Sequence, residues 1–143
     1  MKKGGCDFKE LERFLKNMEG LTQNLDEILD ICARELTQRF LRKVIKRTPV
    51  GVYPAGSGRK GGTLRRGWST QNTRIYHSAS SCLVEIINPV EYASYVEHGH
   101  RTRGGKGWVK GRFMMTISAE EIERDTPLIL SKKLKKLMEA QLK

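Results

Sequence analysis

The chain has 143 residues, the size of one ordinary domain, and a formal net charge of +11. We therefore expect a single domain over residues 1–143 that buries its own core. No apolar run approaches the roughly 18 residues that span a bilayer, and the start lacks the apolar block of a signal peptide, which predicts a cytosolic chain without membrane contact. Its cysteines, Cys6, Cys32 and Cys82, have no CxxC spacing, so we expect free thiols rather than a disulfide framework or a zinc site.

The basic charge is concentrated in two blocks. Residues 36–84 hold ten basic and no acidic side chains, and residues 99–117 hold five basic and no acidic ones. Such a field attracts nucleic acid, an anionic partner surface or an acidic protein, and the sequence does not rank these three.

Two helices are predicted in the first third of the chain. Residues 7–19 place apolar side chains at helical spacing and predict a short amphipathic helix. A much longer helix follows, because its apolar stripe recurs every three or four residues from Leu25 to Ile45. Thr48-Pro49 ends this helix, since proline cannot donate the next backbone hydrogen bond.

A glycine- and proline-rich loop and a β-hairpin come next. Residues 49–62 are too rich in both residue types for regular structure, which predicts a mobile loop. After the segment TLRR, two runs with strand composition, about 67–77 and 81–88, predict an antiparallel hairpin that turns near residues 78–80.

A short helix over residues 90–98 is predicted to end at Gly99. We expect Tyr92, Tyr95 and Val96 to face inward from it. Two alternatives are open for Glu97.

In the first alternative Glu97 is an exposed residue without a role. In the second it pairs with Arg65 or Arg66 of TLRR and holds the short helix over the hairpin.

The stretch from Gly99 to residue 117 is rich in glycine and basic residues and predicts a second mobile loop, hinged at Gly99. We expect its part from His100 to Arg112 to be disordered until a partner orders it. The residues that we predict to act in assembly or interaction are Arg59, Lys60, Arg65, Arg66, Tyr92, Tyr95, Glu97, Gly99, Arg101, Arg103, Lys106, Trp108, Lys110 and Arg112.

The final helix is predicted to start at Ser118, which forms a capping box with Glu121, and to run to about Leu142. Pro127 should kink it. The predicted fold class is therefore α+β, with long N-terminal helices and a C-terminal helix packed on a small antiparallel sheet.

No catalytic or cofactor site is predicted. The glycine-rich segment at 56–63 is not a phosphate loop, because its lysine precedes the glycines and no strand leads into it. His98 and His100 suggest a metal pair, with His77 or Glu97 as a further ligand, but no second cluster with ligand spacing completes a site. We find no candidate nucleophile or paired carboxylates, and we expect neither an enzyme nor a bound cofactor or metal.

The basic loops allow two interpretations. With Trp108 and Phe113 among their cations, they fit a small basic nucleic-acid-binding module that contacts phosphates and stacks on bases. Alternatively they are solvated segments, kept extended by charge repulsion until a partner orders them.

The order of the motifs resembles a known family. The segments are TPVG at 48–51, GTLRRGW at 62–68, NPVEYASYVEHG at 88–99 and GRFMM at 111–115, followed by a helix with an internal proline. This order is similar to the phage tail-completion or head-tail joining (neck) proteins of the gene-product-ten-like family of tailed phages and prophages. The loop at 53–60 and the basic segment at 101–112 depart most from the family pattern.

The resemblance implies a structural, non-enzymatic virion protein that assembles as a ring at the head-proximal end of the tail or at the head-to-tail joint. The partners it implies are other copies of the chain and adjacent neck, tail-terminator or tail-tube proteins. From the basic residues of one loop, we also predict nonspecific contact with DNA in the channel. It also implies a location in the host cytoplasm during assembly and afterwards in the virion.

Overall fold

The structure, a computed structural model, describes residues 9, 12, 13, 16, 19, 20, 25–78 and 81–142. Within this part the chain is α+β, as predicted, and the predicted first helix over residues 7–19 lies largely outside it. The elements follow in the order α1 (Leu25–Arg47), α2 (Thr63–Arg66), a 3-10 turn (Thr70–Asn72), β1 (Thr73–His77), β2 (Cys82–Ile86), α3 (Ala93–His98), β3 (Gly99–Arg101), β4 (Trp108–Lys110) and α4 (Met114–Leu142).

Helix α1 confirms the long amphipathic helix predicted from the apolar stripe. Its buried positions recur every three or four residues, as a helix packed on one face requires. They are Ile28, Cys32, Ala33, Thr37, Phe40, Leu41 and Val44. The helix ends at Arg47, immediately before Thr48-Pro49, as predicted.

The core lies where the C-terminal half of α1 meets α2 and the start of α4. Its buried cluster consists of Phe40, Leu41, Val44, Leu64, Trp68 and Met114. Full burial of one such side chain contributes roughly 1.5–3 kcal/mol, so this cluster supplies a large share of the stability. The TLRRGW segment is therefore a core element, because it delivers both Leu64 and Trp68.

Thr48 joins the end of α1 to the TLRRGW segment. It is fully buried, and its hydroxyl donates to the Val44 carbonyl at 2.6 Å while accepting the Trp68 indole N–H at 2.8 Å. Its backbone carbonyl accepts two hydrogen bonds from the Arg65 guanidinium, at 3.2 and 2.8 Å. One residue thus satisfies groups that would otherwise be buried without partners.

Strands β1 and β2 form the predicted antiparallel hairpin, with Thr73 opposite Ile86 and His77 opposite Cys82. The first strand starts six residues later than predicted, because Thr70–Asn72 form a 3-10 turn before it and Thr63–Arg66 form α2. Along β2, half-buried and exposed residues alternate, as expected for a strand with one face on the core.

The chain between Gly99 and residue 117 differs from the single loop predicted for it. Gly99–Arg101 and Trp108–Lys110 pair as a second two-stranded sheet, separate from the first. Helix α4 begins at Met114, so Ser118 lies inside it, fully buried, and its hydroxyl donates to the Met114 carbonyl at 2.6 Å. The predicted capping box at Ser118 is therefore wrong. Helix α4 continues through Pro127.

Helices α1 and α4 are joined by an ion-pair network around Glu121. The Lys43 ammonium lies 2.8 Å from the Glu121 carboxylate, and the Arg47 guanidinium also donates to this carboxylate. Arg47 donates in addition to the Ser118 hydroxyl at 3.3 Å. These hydrogen bonds lower the pKa of Glu121 to about 2 from an ordinary value of 4.5.

This network predicts acid sensitivity. Because the folded-state pKa of Glu121 is depressed, its contribution to stability is complete above pH 4.5 and is lost as the pH falls towards about 2. We expect the difference in free energy of unfolding between wild type and Glu121→Gln, measured by urea denaturation, to shrink across this window. An unchanged difference would contradict the network.

Candidate docking surface

Helix α3 carries the YASYVEHG motif and has two unlike faces. Ala93, Val96 and Glu97 face the core, at the spacing of one helix side. Tyr92, immediately before the helix, and Tyr95 within it are nevertheless exposed, with 44% and 59% of their surface accessible. The prediction that both tyrosines face inward is wrong, because a helix of six residues has room for only one buried face.

Glu97 caps the N-terminus of α4 from a different element. Its carboxylate accepts the backbone N–H groups of Met115 and Thr116, each at 2.9 Å, and the Thr116 hydroxyl at 2.6 Å. These N–H groups occupy the positions that an N-cap side chain normally satisfies, whereas Phe113, the residue before the helix, has no acceptor in its side chain. Glu97 is buried, so the alternative that it is exposed without a role is wrong.

The alternative that Glu97 pairs with Arg65 or Arg66 is also wrong. Arg65 donates to the Thr48 carbonyl, and Arg66 donates to the Gly61 carbonyl at 3.3 Å and to the Thr63 hydroxyl at 3.4 Å.

The environment of Glu97 favours its charged form. Burial by itself raises the pKa of the carboxyl, but the hydrogen bonds from the Thr116 hydroxyl and from the Met115 and Thr116 N–H groups outweigh it, and the pKa is lowered. The positive end of the α4 dipole acts in the same direction. A charged carboxylate is thus held at the helix start.

Two glycines let the chain cross itself beside Glu97. A Cβ on Gly99 would lie 2.5 Å from the Val109 carbonyl oxygen, and a Cβ on Gly111 would lie 2.4 Å from the Glu97 carbonyl oxygen. Backbone hydrogen bonds then hold the chain that follows β4 against α3. Arg112 N–H donates to the Val96 carbonyl at 2.8 Å, and Phe113 N–H donates to the Glu97 carbonyl at 3.1 Å. The hairpin is therefore closed at its base.

The β3–β4 hairpin presents a basic and aromatic face. In its register Arg101 lies opposite Trp108, and Lys110 lies opposite Gly99. Because alternate residues share one side of a strand, the side chains of Arg101, Trp108 and Lys110 project together. All three are exposed, Trp108 by 62%. His100 and Val109 occupy the other side, where the His100 ring lies 6.0 Å from that of Tyr95.

The first glycine-rich loop meets helix α3. A surface cavity of about 250 Å³ is lined by Tyr53, Lys60, Leu64, Tyr92 and Val96, among others. Tyr53 and Val52 are exposed by 44% and 94%. We name the exposed side chains of Val52, Tyr53, Tyr92 and Tyr95, of which Tyr53 and Tyr92 line this cavity, the docking surface.

The predicted interaction residues thus separate into three groups. Arg65, Glu97 and Gly99 hold the fold together through the contacts given above, whereas Tyr92 and Tyr95 belong to the docking surface. The third group is exposed and consists of Trp108 and eight cations, which are Arg59, Lys60, Arg66, Arg101, Arg103, Lys106, Lys110 and Arg112.

The described part of the chain contains no group of three or more histidine, cysteine, aspartate or glutamate side chains that could hold a metal ion. Cys32 and Cys82 are free thiols, as predicted. Burial raises the pKa of both. Among the described helices, none has the length and apolar character needed to cross a membrane.

Sequence reasoning missed the roles of Thr48 and Glu97. A threonine before proline at the end of a long helix indicates a helix terminus, but its indole partner lies 20 residues away. For Glu97 a signal was present, since the residues immediately before Met114 offer no capping side chain. A helix that starts there needs an acceptor from elsewhere.

Comparison with known proteins gives one match. No curated protein and no solved structure matches the chain. The model of the HK97-gp10-like family, described as a bacteriophage HK97-gp10 tail component, matches residues 12–99, more than half of the chain. The match includes α1, both strands of the first hairpin and α3, and it ends where the β3–β4 hairpin begins. The resemblance seen in the motifs is confirmed, and the chain belongs to the HK97-gp10-like family of bacteriophage tail components.

Proposed function

We propose that the protein is a tail-completion or head-tail connector subunit that assembles as a homo-oligomeric ring and docks on adjacent neck, tail-terminator or tail-tube proteins. As a phage tail component it is a structural virion protein with other phage proteins as neighbours. The observation that supports the role as a tail-completion or connector subunit is the docking surface on α3 and the neighbouring loop. The proposed role is mechanical and involves no catalytic step.

The docking surface has the composition of a protein interface. Tyrosine is enriched among the residues that dominate binding energy, because it buries a large ring at a low cost in conformational entropy. Tyr53, Tyr92 and Tyr95 each expose 44% or more of their surface in the isolated chain. Val52, almost fully exposed, adds an apolar contact. Exposed apolar side chains of this kind belong to a binding site more often than to a surface without a partner.

In the proposed assembly, residues 1–143 form one domain with two mobile segments that become ordered when the ring forms. The first is the loop at 49–62, which supplies Val52 and Tyr53 to the docking surface and contains no helix or strand. The second mobile segment is the turn at 102–107. It is shorter than the predicted loop at 99–117, because most of that loop belongs to the paired strands and to α4.

Truncating Tyr92, which precedes α3, and Tyr95, which lies in it, tests the docking surface. We expect Tyr92→Ala with Tyr95→Ala to remove about 4 kcal/mol of contact energy, about 2 kcal/mol for each ring, which weakens docking by about 1,000-fold. A phage deleted for this gene and complemented with the variant should show a strongly reduced infectious titre. Electron micrographs should show unjoined heads and tails or unfinished tails.

The matched control removes two exposed apolar side chains elsewhere. Tyr76 and Leu83 lie opposite each other in the first hairpin and expose 46% and 64% of their surface. Replacing both by alanine should leave the titre and the particles unchanged. Wild-type particles from the α3 variant, or an equal defect from the control, would refute the assignment of docking to α3.

A further inference from the structure

We propose that the β3–β4 hairpin contacts the phosphate backbone of duplex DNA, independently of base sequence. This inference rests on the proposed function, because a subunit at the joint between head and tail surrounds the path of the genome. It assigns to the hairpin a partner different from the one assigned to the docking surface. The residues that carry it are Arg101, Arg103, Lys106, Lys110 and Arg112.

The positive charges of the hairpin are not offset by nearby acidic side chains. Between residues 98 and 117 the chain has five basic and no acidic side chains. The acidic residue next to this segment, Glu97, is buried and engaged in capping α4. Among the ion pairs of the described residues, none includes a cation of the hairpin. The field of these five charges is therefore available to an anionic partner.

Four basic residues of α1, by contrast, have acidic partners. On α1, Arg34 pairs with Asp30 and Arg39 with Glu35, each four residues away. Lys43 and Arg47 share Glu121 across the interface with α4, as described above. The hairpin therefore differs from α1, where carboxylates offset the charges of these four cations.

The geometry of the hairpin suits a polyanion with regularly spaced charges. Arg101 and Lys110 are diagonal neighbours on one face, where Cα atoms lie roughly 7–8 Å apart. Trp108, opposite Arg101 and two residues before Lys110 on the same face, offers a flat apolar surface to the sugar. Beyond this face, Arg103 and Lys106 lie in the turn and carry the positive charge to the tip.

The turn also permits close approach to a backbone. Gly104 and Gly105 have φ values of 97° and 73°, and a Cβ at either position would meet no atom within 4 Å. The tip is thus narrow and open rather than packed against the domain. A two-stranded ribbon of this kind fits the major groove, which is about 12 Å wide, or lies along its phosphates. An acidic protein surface does not require so slender an element.

Binding of duplex DNA by the full-length chain tests the inference. The probe is a fluorescently labelled duplex of about 20 base pairs, and anisotropy is measured at 50 and 200 mM salt. Four phosphate contacts predict that affinity falls on the order of 100-fold between these concentrations. The hairpin variant is Arg101→Gln, Arg103→Gln, Lys106→Gln and Lys110→Gln. It should bind at least about 30-fold more weakly at 50 mM salt, with a salt slope smaller by about 3–4.

A charge-matched control removes four positive charges from α4. Its substitutions are Lys132→Gln, Lys133→Gln, Lys135→Gln and Lys136→Gln. We expect its affinity to change by less than about threefold, with thermal unfolding confirming that both variants fold. Equal losses in the two variants would overturn the inference, since binding would then follow net charge alone. Competition by polyglutamate as effective as that by duplex DNA, at equal charge, would also overturn it in favour of an acidic protein partner.

Particles that carry the hairpin variant separate this inference from the proposed function. Joined particles that retain or deliver DNA poorly support both proposals. Unjoined heads and tails would show that the hairpin docks protein, which overturns the inference and leaves the proposed function standing. Joined, fully infectious particles would overturn the inference alone.

Discussion

Replacement of Gly99 by alanine is expected to cost about 4 kcal/mol of folding free energy and to open the base of the β3–β4 hairpin. Gly99 has φ 87° and ψ 172°, a conformation that residues with a Cβ rarely adopt. The added Cβ would also lie 2.5 Å from the Val109 carbonyl oxygen and 2.8 Å from the Gly111 nitrogen. Both neighbours are backbone atoms, so the strain cannot be relieved by a rotamer change. Urea denaturation followed by circular dichroism measures the loss.

Gly104→Ala is the matched control for this variant. Its φ of 97° imposes a similar conformational strain, but the new Cβ would point into open space. We expect a cost of about 1–2 kcal/mol from backbone strain alone. Equal losses in Gly99→Ala and Gly104→Ala would mean that the close approach of the two strand ends contributes nothing.

Replacement of Glu97 by alanine is expected to cost about 3 kcal/mol and to lower the melting temperature by about 6–12 °C. The change leaves the N–H groups of Met115 and Thr116 without acceptors and removes the negative charge from the positive end of α4. The melting temperature is measured by calorimetry at neutral pH. Glu97→Gln keeps one carbonyl acceptor and should lie between alanine and wild type.

Glu91→Ala serves as the control for Glu97. Glu91 precedes α3 and is exposed, and removal of an exposed side chain of this kind changes stability by less than about 0.5 kcal/mol. If Glu97→Ala has the same melting temperature as Glu91→Ala, the Glu97 carboxylate does not stabilise α4. A loss that appears at neutral pH and fades in acid, where the wild-type carboxylate also becomes neutral, would further identify charge as its origin.

Long periodic elements could be predicted from the sequence. Helix α1 extends over more than six turns, so its apolar stripe repeats often enough to define both its face and its end at Thr48. The hairpin of β1 and β2 has alternating residues on both sides of a serine-rich turn. In each case the pattern needs only residues close together in the chain.

The start of α4 could not be predicted, because its cap comes from another element. Ser118 and Glu121 fit the local pattern of a capping box, whereas Glu97 satisfies the same need from 18 residues away. The earlier start buries Ser118 and frees Glu121 to bind Lys43. A non-local carboxylate therefore displaced the boundary by four residues.

The second hairpin and the exposure of Tyr92 and Tyr95 could not be predicted from the sequence, for a different reason. Strands of three residues are too short for alternation to be recognised, and the glycines between them predict only a turn. Helix α3 has six residues, so either face of it could be chosen as the buried one. Only the position of Glu97 under α4 decides that Tyr92 and Tyr95 point outward.

The crossing of Gly99 and Gly111 has a consequence for how the chain can change. The polypeptide enters and leaves the β3–β4 hairpin at the same point, and the contacts that close this point involve no residue of the tip. The hairpin is therefore an exchangeable module. Its tip can be lengthened, shortened or recharged while α3 remains joined to α4, and each doubling of a flexible tip costs only about 0.6 kcal/mol in closure entropy. One scaffold can thus carry different appendages without rebuilding its core.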